Sequence, residues 1–234
     1  MNGGGGDDTF IIGSQSELQT SSDSISEVIS GGSNDSSTGD TVQLGTGSSS
    51  GQTFTFSSTS NGSISISGIE TLNFQEASTT LVATNSFLSG LTHITTESGA
   101  TGQTLKSSSA TLSLSSLSSV SSDVSELEAT QYGSSGVSIT DSSDSNGRTL
   151  TGSSFADTLS GNGGNDILVG GQGADTLNGG DGDDIFRLDA DNDLTTGETI
   201  NGGSGSDTIK AGSTSLSIVD LRGSTLSGIE FLDL

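Results

Sequence analysis

Cysteine, proline and tryptophan are absent from the 234 residues, and there is a single histidine. Without a thiol the fold cannot rest on disulfides, and an extracellular protein stabilised by metal needs none. With His93 as the one imidazole, a multi-histidine metal centre or an HExxH protease is excluded within this chain. Basic residues are scarce: five Lys and Arg stand against 29 Asp and Glu, a formal net charge of −24. Acidity of this size argues against nucleic acid and anionic membranes as partners, and it repels itself in a compact state. No apolar run approaches the length of a membrane span, so no membrane insertion is expected. Met1 to Gly6 carries neither the charged region nor the apolar stretch of a Sec signal. Hydrophobic residues make up 27%. A globule struggles to bury a core from so few, whereas a solenoid needs only one or two inward residues per strand.

What the chain does have is glycine and aspartate in register. Between Gly152 and Arg187 a nine-residue unit is written four times without a gap, at 152–160, 161–169, 170–178 and 179–187. Each copy has Asp at position six and a large apolar residue at position eight: Asp157/Leu159, Asp166/Leu168, Asp175/Leu177 and Asp184/Phe186. Glycine permits positive φ and leaves no Cβ in the way, so tight turns can bring several carbonyls to one point. Around position eight a short strand turns its apolar side chain inward. Turn plus strand is half a coil. Two copies, eighteen residues, then complete a coil and stack Asp157 near Asp175 and Asp166 near Asp184. A stacked pair of carboxylates with carbonyls between them suits calcium, a hard ion that takes about six to eight oxygens.

These four copies resemble the calcium-binding nonapeptides of RTX, or hemolysin-type, β-roll proteins secreted by type I systems, a repeat with an established reading. The resemblance implies an all-β, right-handed parallel β-roll or solenoid with several calcium ions in its Gly/Asp turns. In that family, positions two, four and six of one turn and one, three and six of the next same-edge turn coordinate the ion. Carried over, one site takes Ser153, Phe155 and Asp157 with Gly170, Gln172 and Asp175. The other takes Asn162, Gly164 and Asp166 with Gly179, Asp181 and Asp184. The position-six aspartates act through side chains in this scheme and the other residues through carbonyls. Ser153 and Phe155 stand where the pattern has glycine, so the first copy departs from it.

Further copies flank the tandem stretch. Residues 3–11 fit the unit, with Asp8 at position six and Phe10 at position eight, and 202–210 fit it again through Gly202, Ser204 and Asp207. The latter starts 23 residues after the start of the fourth copy, so an insert must bulge between them, leaving Asp184 between Asp166 and Asp207. Asp40 lies in a degenerate copy. Ser67-Gly68-Ile69-Glu70 returns as Ser227-Gly228-Ile229-Glu230, and a weaker relative begins at Leu88. Such tails beside nonapeptides look like those of large RTX adhesins and calcium-dependent S-layer proteins. The shared order of turn, insert, strand and Ser-Gly-Ile-Glu points to one long module and part of a second, as in a slice of a repetitive surface protein.

Three regions follow: 1–74, an RTX-like solenoid module; 75–150, a Ser/Thr-rich irregular solenoid; and 151–234, the calcium roll with further coils. Within the second, Leu114, Leu117, Val120, Val124 and Leu127 recur at three and four, which fits a short amphipathic helix. The serines between them favour solenoid coils. Asp189-Ala190-Asp191-Asn192-Asp193 imitates an EF-hand start, but Leu194 and Ile200 occupy the positions that need Gly and Glu. Asp193 lies eighteen residues after Asp175, which leaves room for a capping ion. Gly47-Ser48-Ser49-Ser50-Gly51 has the Gly-x-Ser-x-Gly spacing without its strand–turn–helix context. No enzymatic activity is expected. The sequence reads as a calcium-binding structural segment of a secreted bacterial surface protein, adhesin-like, located outside the cell or on its surface, with other copies of itself or surface glycans as further partners. An S-layer fragment with calcium-dependent lattice assembly, and the C-terminal region of a secreted enzyme or toxin, are the alternatives.

Overall fold

The computed structural model describes residues 2–3, 5–13, 27–31, 39–46, 51–56, 64–88, 90–129, 135–189, 196–212 and 222–233. Among these, every regular element is a strand of two to six residues, apart from one helical turn, α1 (Asn85–Leu88). The first strands are β1 (Thr9–Ile12), β2 (Glu27–Ser30), β3 (Thr41–Leu44), β4 (Thr53–Phe56), β5 (Ile64–Ser67) and β6 (Thr71–Phe74). Next come β7 (Thr80–Ala83), β8 (His93–Thr96), β9 (Gln103–Ser107), β10 (Thr111–Ser113), β11 (Ser119–Val120) and β12 (Val124–Ala129). The helix that the spacing of Leu114 to Leu127 allows does not form; short strands take its place, as the serines favour. After them follow β13 (Ser138–Thr140), β14 (Thr149–Thr151), β15 (Thr158–Gly163), β16 (Ile167–Val169) and β17 (Thr176–Asp181). The last are β18 (Ile185–Leu188), β19 (Thr199–Ser204), β20 (Thr208–Ala211), β21 (Thr225–Ser227) and β22 (Phe231–Asp233). All the strand pairs described are parallel, and the protein is an all-β solenoid.

Two compact units divide the chain: Met1–Ser108 with Ser116–Val124, and Ser109–Ser115 with Ser125–Leu234. In the first, one ladder runs β1-β3-β6-β8-β11, a second β4-β7-β9 and a third β2-β5. Its coils are long: Thr9 pairs Thr41, Thr41 pairs Thr71, and Thr71 pairs His93. The last of these spans is the 22 residues that separate the first two Ser-Gly-containing tails. His93 is therefore an ordinary strand position, stacked on Thr71.

In the second unit β10-β13-β15-β17-β19-β21 form one ladder and β12-β14-β16-β18-β20-β22 the other. Thr158 pairs Thr176 and Ile167 pairs Ile185, the eighteen-residue coil expected from two nonapeptides. Thr176 pairs Thr199 and Ile185 pairs Thr208, so both ladders absorb the 23-residue step. Position eight supplies the core. Leu159, Leu177 and Ile200 stack on one side and Leu150, Leu168, Phe186 and Ile209 on the other, all buried. Each such burial contributes about 1.5–3 kcal/mol. A coil holds too few of them to stand alone, and its neighbours complete the core. A slip of one residue would turn the whole row outward, which holds the register.

On one edge the strands run on into the glycine turns. Asn162 pairs Gly180, and Gly163 pairs Asp181; Gly180 pairs Gly203, and Asp181 pairs Ser204. The turns on this edge are therefore extensions of the sheet and are stacked as strictly as the strands.

Candidate cation sites in the glycine turns

Position six immediately precedes the strand, and its main-chain N–H points along the stack. On one edge Val137 donates to Asp157 Oδ1 at 2.6 Å, Asp157 to Asp175 Oδ1 at 2.8 Å, and Asp175 to Glu198 Oε2 at 3.1 Å. On the other, Arg148 donates to Asp166 Oδ1 at 2.7 Å, then Asp166 to Asp184 and Asp184 to Asp207, both at 2.8 Å. Asp207 in turn donates to Glu230 Oε2 at 2.8 Å. The first unit has its own ladder, Asp8 to Asp40 Oδ1 at 2.7 Å and Asp40 to Glu70 Oε2 at 3.0 Å. A carboxylate that accepts a main-chain N–H in a buried setting spends one oxygen on the fold.

The second oxygen is what makes these turns unusual. Oδ2 of Asp8, Asp40, Asp166, Asp184 and Asp207 is buried and has no hydrogen-bond partner. An unpaired buried carboxylate oxygen is costly unless a cation meets it. The glycine at position one shapes the space beside it. A Cβ built on Gly161 would lie 2.2 Å from Asp166 Oδ2 and 2.7 Å from the Gly179 carbonyl oxygen. On Gly179 it would lie 2.1 Å from Asp184 Oδ2 and 2.7 Å from the Gly202 carbonyl. Gly31 repeats the arrangement with Asp40 Oδ2 at 2.0 Å and the Gly68 carbonyl at 1.9 Å. Carboxylate and carbonyl oxygens thus converge where a side chain would otherwise sit. Positions two and four have positive φ in the complete turns: Asn162 and Gly164, Gly171 and Gly173, Gly180 and Gly182, Gly203 and Gly205.

The first copy is built differently. Ser153 and Phe155 are not among the described residues with positive φ. The Ser153 N–H donates to Asp157 Oδ2 at 2.5 Å, and its hydroxyl donates to Asp157 Oδ1 at 2.8 Å. Both oxygens of Asp157 are therefore engaged by protein. Gln172, Asp181 and Ser204 are exposed, and the scheme carried over above uses their carbonyls. The Asp181 carbonyl already accepts the Gly164 N–H at 2.9 Å, and that of Ser204 the Gly182 N–H at 2.8 Å.

Four acids in the ladders were not among the sequence candidates: Asp40, Glu70, Glu198 and Glu230. The signal was the degenerate nonapeptide copy at Asp40, the recurrence of Ser-Gly-Ile-Glu at Glu70 and Glu230, and, at Glu198, an acid just before a Thr-Ile strand start. Asp193 lies outside the described residues; the acid that meets the Asp175 N–H is Glu198. Gly47 to Ser50 also lie outside them. Asp189, from the EF-hand-like run, forms an exposed ion pair with Arg187 at 2.9 Å.

Burial is the main reason that Asp166, Asp184 and Asp207 resist ionisation. It pushes Asp166 up to about 7 against the Arg148 N–H bond and charge, with Asp141 and Asp184 adding repulsion. It pushes Asp184 up to about 6 against the Asp166 N–H, with Asp207 and Asp183 adding to the rise. Asp207 moves upward for the same first reason, helped by Glu230 and Asp183.

Residues 149–177, 160–194 and 195–214 match a family model, the RTX calcium-binding nonapeptide repeat, in four copies. This stretch is an RTX roll. No curated protein and no solved structure matches the chain. Repeats of this family bind calcium and are typical of secreted proteins, which makes the roll a calcium-binding region. The turns fit that ion. In the complete turns a buried carboxylate oxygen lies beside a main-chain carbonyl oxygen, oxygen donors of the kind a hard cation takes, although among the described residues no three His, Cys, Asp or Glu side chains gather. Among the described residues no helix is long and apolar enough to cross a membrane.

Proposed function

We propose that this chain is a non-enzymatic structural segment of an extracellular, repetitive bacterial surface protein of the adhesin kind, whose RTX roll folds on calcium. The observation that carries this reading is the row of buried Oδ2 atoms without partners at Asp166, Asp184 and Asp207, each in a glycine turn. Asp166 and Asp184 with the carbonyls of Asn162, Gly164, Gly179 and Asp181 would hold one ion. Asp184 and Asp207 with those of Gly202 and Ser204 would hold another. Asp157 and Asp175, with the carbonyls of Ser153, Phe155, Gly170 and Gln172, form the weakest place, since Ser153 already engages Asp157. The same reading extends to Asp8 and Asp40 in the first unit.

Bound calcium supplies two positive charges to an oxygen cradle that the fold leaves negative. A chain of net charge −24 with a thin apolar core lacks the means to hold such a cradle closed without a counter-ion. An ion that binds only the folded form stabilises it by mass action. Circular dichroism with millimolar calcium and then with excess chelator tests this. The β signal and the melting temperature are expected to fall on chelation and to return with calcium; an unchanged spectrum and melting point would defeat the proposal.

A further inference from the structure

Arg148 is the exception in the ladder of its edge. The segment 143–148 stacks on 161–166 in the eighteen-residue register: a Cβ on Gly147 would meet the Asn165 carbonyl at 2.0 Å, and one on Gly164 the Asn146 carbonyl at 2.4 Å. Thr149 pairs Ile167 immediately after. Position six of this lower turn is therefore Arg148, where the next three turns have Asp166, Asp184 and Asp207. Its main chain behaves as theirs does, with its N–H donated to Asp166 Oδ1.

The side chain folds back into its own turn. Nη1 lies 3.0 Å from both Asp141 oxygens, 3.2 Å from Ser142 Oγ, 3.2 Å from Asp144 Oδ1 and 3.4 Å from the Asn146 carbonyl. Nη2 lies 3.0 Å from Asp144 Oδ2. Six oxygens from four residues surround one positive group, the number and chemistry with which a calcium ion is held. Arg148 and Asp141 are fully buried side chains, and Asp144 is 25% exposed. Asp144 and Asn146 are also positions two and four of the turn, the positions whose carbonyls serve calcium in the scheme carried over above. Burial tends to neutralise all three charged groups; at Asp144 and Arg148 the hydrogen bonds between them win, lowering the acid and raising the base, while at Asp141 burial outweighs Arg148 and pushes the carboxyl up to about 6.

We infer that the Arg148 guanidinium is the resident cation of this turn, doing inside the turn, with Asp141 and Asp144, what calcium does between later turns of the same edge. The inference rests on the calcium reading of the RTX roll. It gives that edge a calcium-free first step: the turn closes on an internal charge, presents Asp166 in register, and leaves calcium to the turns that follow. A guanidinium fork suits this role because its planar donors engage two carboxylates at once.

The test is the number of calcium ions bound by the whole chain, counted by equilibrium dialysis, for wild type, Arg148→Asp and Arg148→Lys. Arg148→Asp restores the family residue at position six and removes the internal cation. It is expected to bind one ion more than wild type, to melt below wild type in chelator, and to recover most of that difference in millimolar calcium. Arg148→Lys keeps a cation and is expected to keep the wild-type count. An Arg148→Asp chain that folds but binds the wild-type number overturns the inference, as does one that millimolar calcium fails to rescue, or an Arg148→Lys chain that gains an ion. A wild-type chain that binds no calcium overturns the proposed function first, and this inference with it.

Discussion

Gln103 in the first unit and Asp184 in the roll stand at corresponding points of their coils, just before the first paired position of a strand. Each accepts a main-chain N–H from the coil before it, Gln103 from Thr79 at 3.0 Å and Asp184 from Asp166 at 2.8 Å. The difference lies in the other terminal atom. Gln103 Nε2 donates to the carbonyls of Glu76 at 2.9 Å and Thr101 at 3.3 Å, so the buried amide is complete. Asp184 Oδ2 is equally enclosed and has no hydrogen-bond partner. One solenoid position can therefore be closed in two ways. At Gln103 an amide closes it with the protein's own groups, whereas at Asp184 the carboxylate is left with one buried oxygen that no protein group meets. A terminal NH₂ in place of O⁻, on a side chain one methylene longer, separates a self-sufficient turn from one whose second oxygen lacks a protein partner.

The sharpest way to break this comparison is to write the amide into the roll. Asp184→Asn keeps the Oδ1 acceptor for the Asp166 N–H and removes the charge. At calcium a hundredfold above Kd, its loss is expected to remove about 2.7 kcal/mol of ion-linked stability for each site that it serves. Asp157→Asn, in the turn already closed by Ser153, is expected to shift the calcium midpoint far less. A paired calcium titration read by β signal decides the matter, and equal midpoints would mean that the spare oxygen of Asp184 has no special part.

A smaller effect is expected from filling the cradle. Gly161→Ala pushes a methyl group against Asp166 Oδ2 and the Gly179 carbonyl, neither of which is the end of a long flexible chain. Overpacking of this kind costs about 1–3 kcal/mol. Gly99→Ala, at φ +91° with nothing within 4 Å of the new atom, carries only the backbone strain of about 1–2 kcal/mol. Thermal melts in calcium and in chelator separate the two. The Gly161 variant should lose calcium response, and the Gly99 variant should lose stability equally in both conditions.

A further test is in pH. Asp166 and Asp184 hold their protons up to about 7 and about 6 in the fold, against 3.8 for an ordinary aspartate. At these two groups the folded state thus binds more protons than the unfolded chain, so their contribution to ion-free stability is fully present below about pH 4 and is lost as pH rises through 6 and 7. Calcium requires the deprotonated form, so its affinity should rise over the same interval. Melting curves at pH 5 and 8 are expected to show the roll more stable at pH 5 in chelator, with a larger calcium gain at pH 8. A chelated roll more stable at pH 8 would contradict the buried carboxylate reading. Gln103, which does not titrate, takes no part in this trend.

Much of the roll was legible because its signals are periodic and local. The distance from Asp157 to Asp175 states the coil length, and position eight states which side chains enter the core. The 22-residue spacing of the two tails stated another coil, the one on which His93 stacks upon Thr71. Legibility stopped where an insert intervenes. Asp193 has the right spacing from Asp175, yet Glu198 meets it, because the insert changes the path length before the next strand begins. The spacing of Leu114 to Leu127 suits a helix and strands alike, and pairing with neighbouring coils decided between them.

By itself, then, the sequence determined the element type, the eighteen-residue repeat, the inward apolar row and the oxygen chemistry of the turns. These follow from backbone freedom at glycine and from the period of side chains along a strand, which need no distant partner. Only the tertiary structure decided which carboxylate oxygens remain free. Ser153 satisfies Asp157, Arg148 finds Asp141 and Asp144, and Glu70 and Glu230 end their ladders by accepting the N–H of Asp40 and Asp207, 30 and 23 residues earlier. Whether a buried charge is answered depends on what the next coil places above it, and that is settled by stacking rather than by neighbours in the chain.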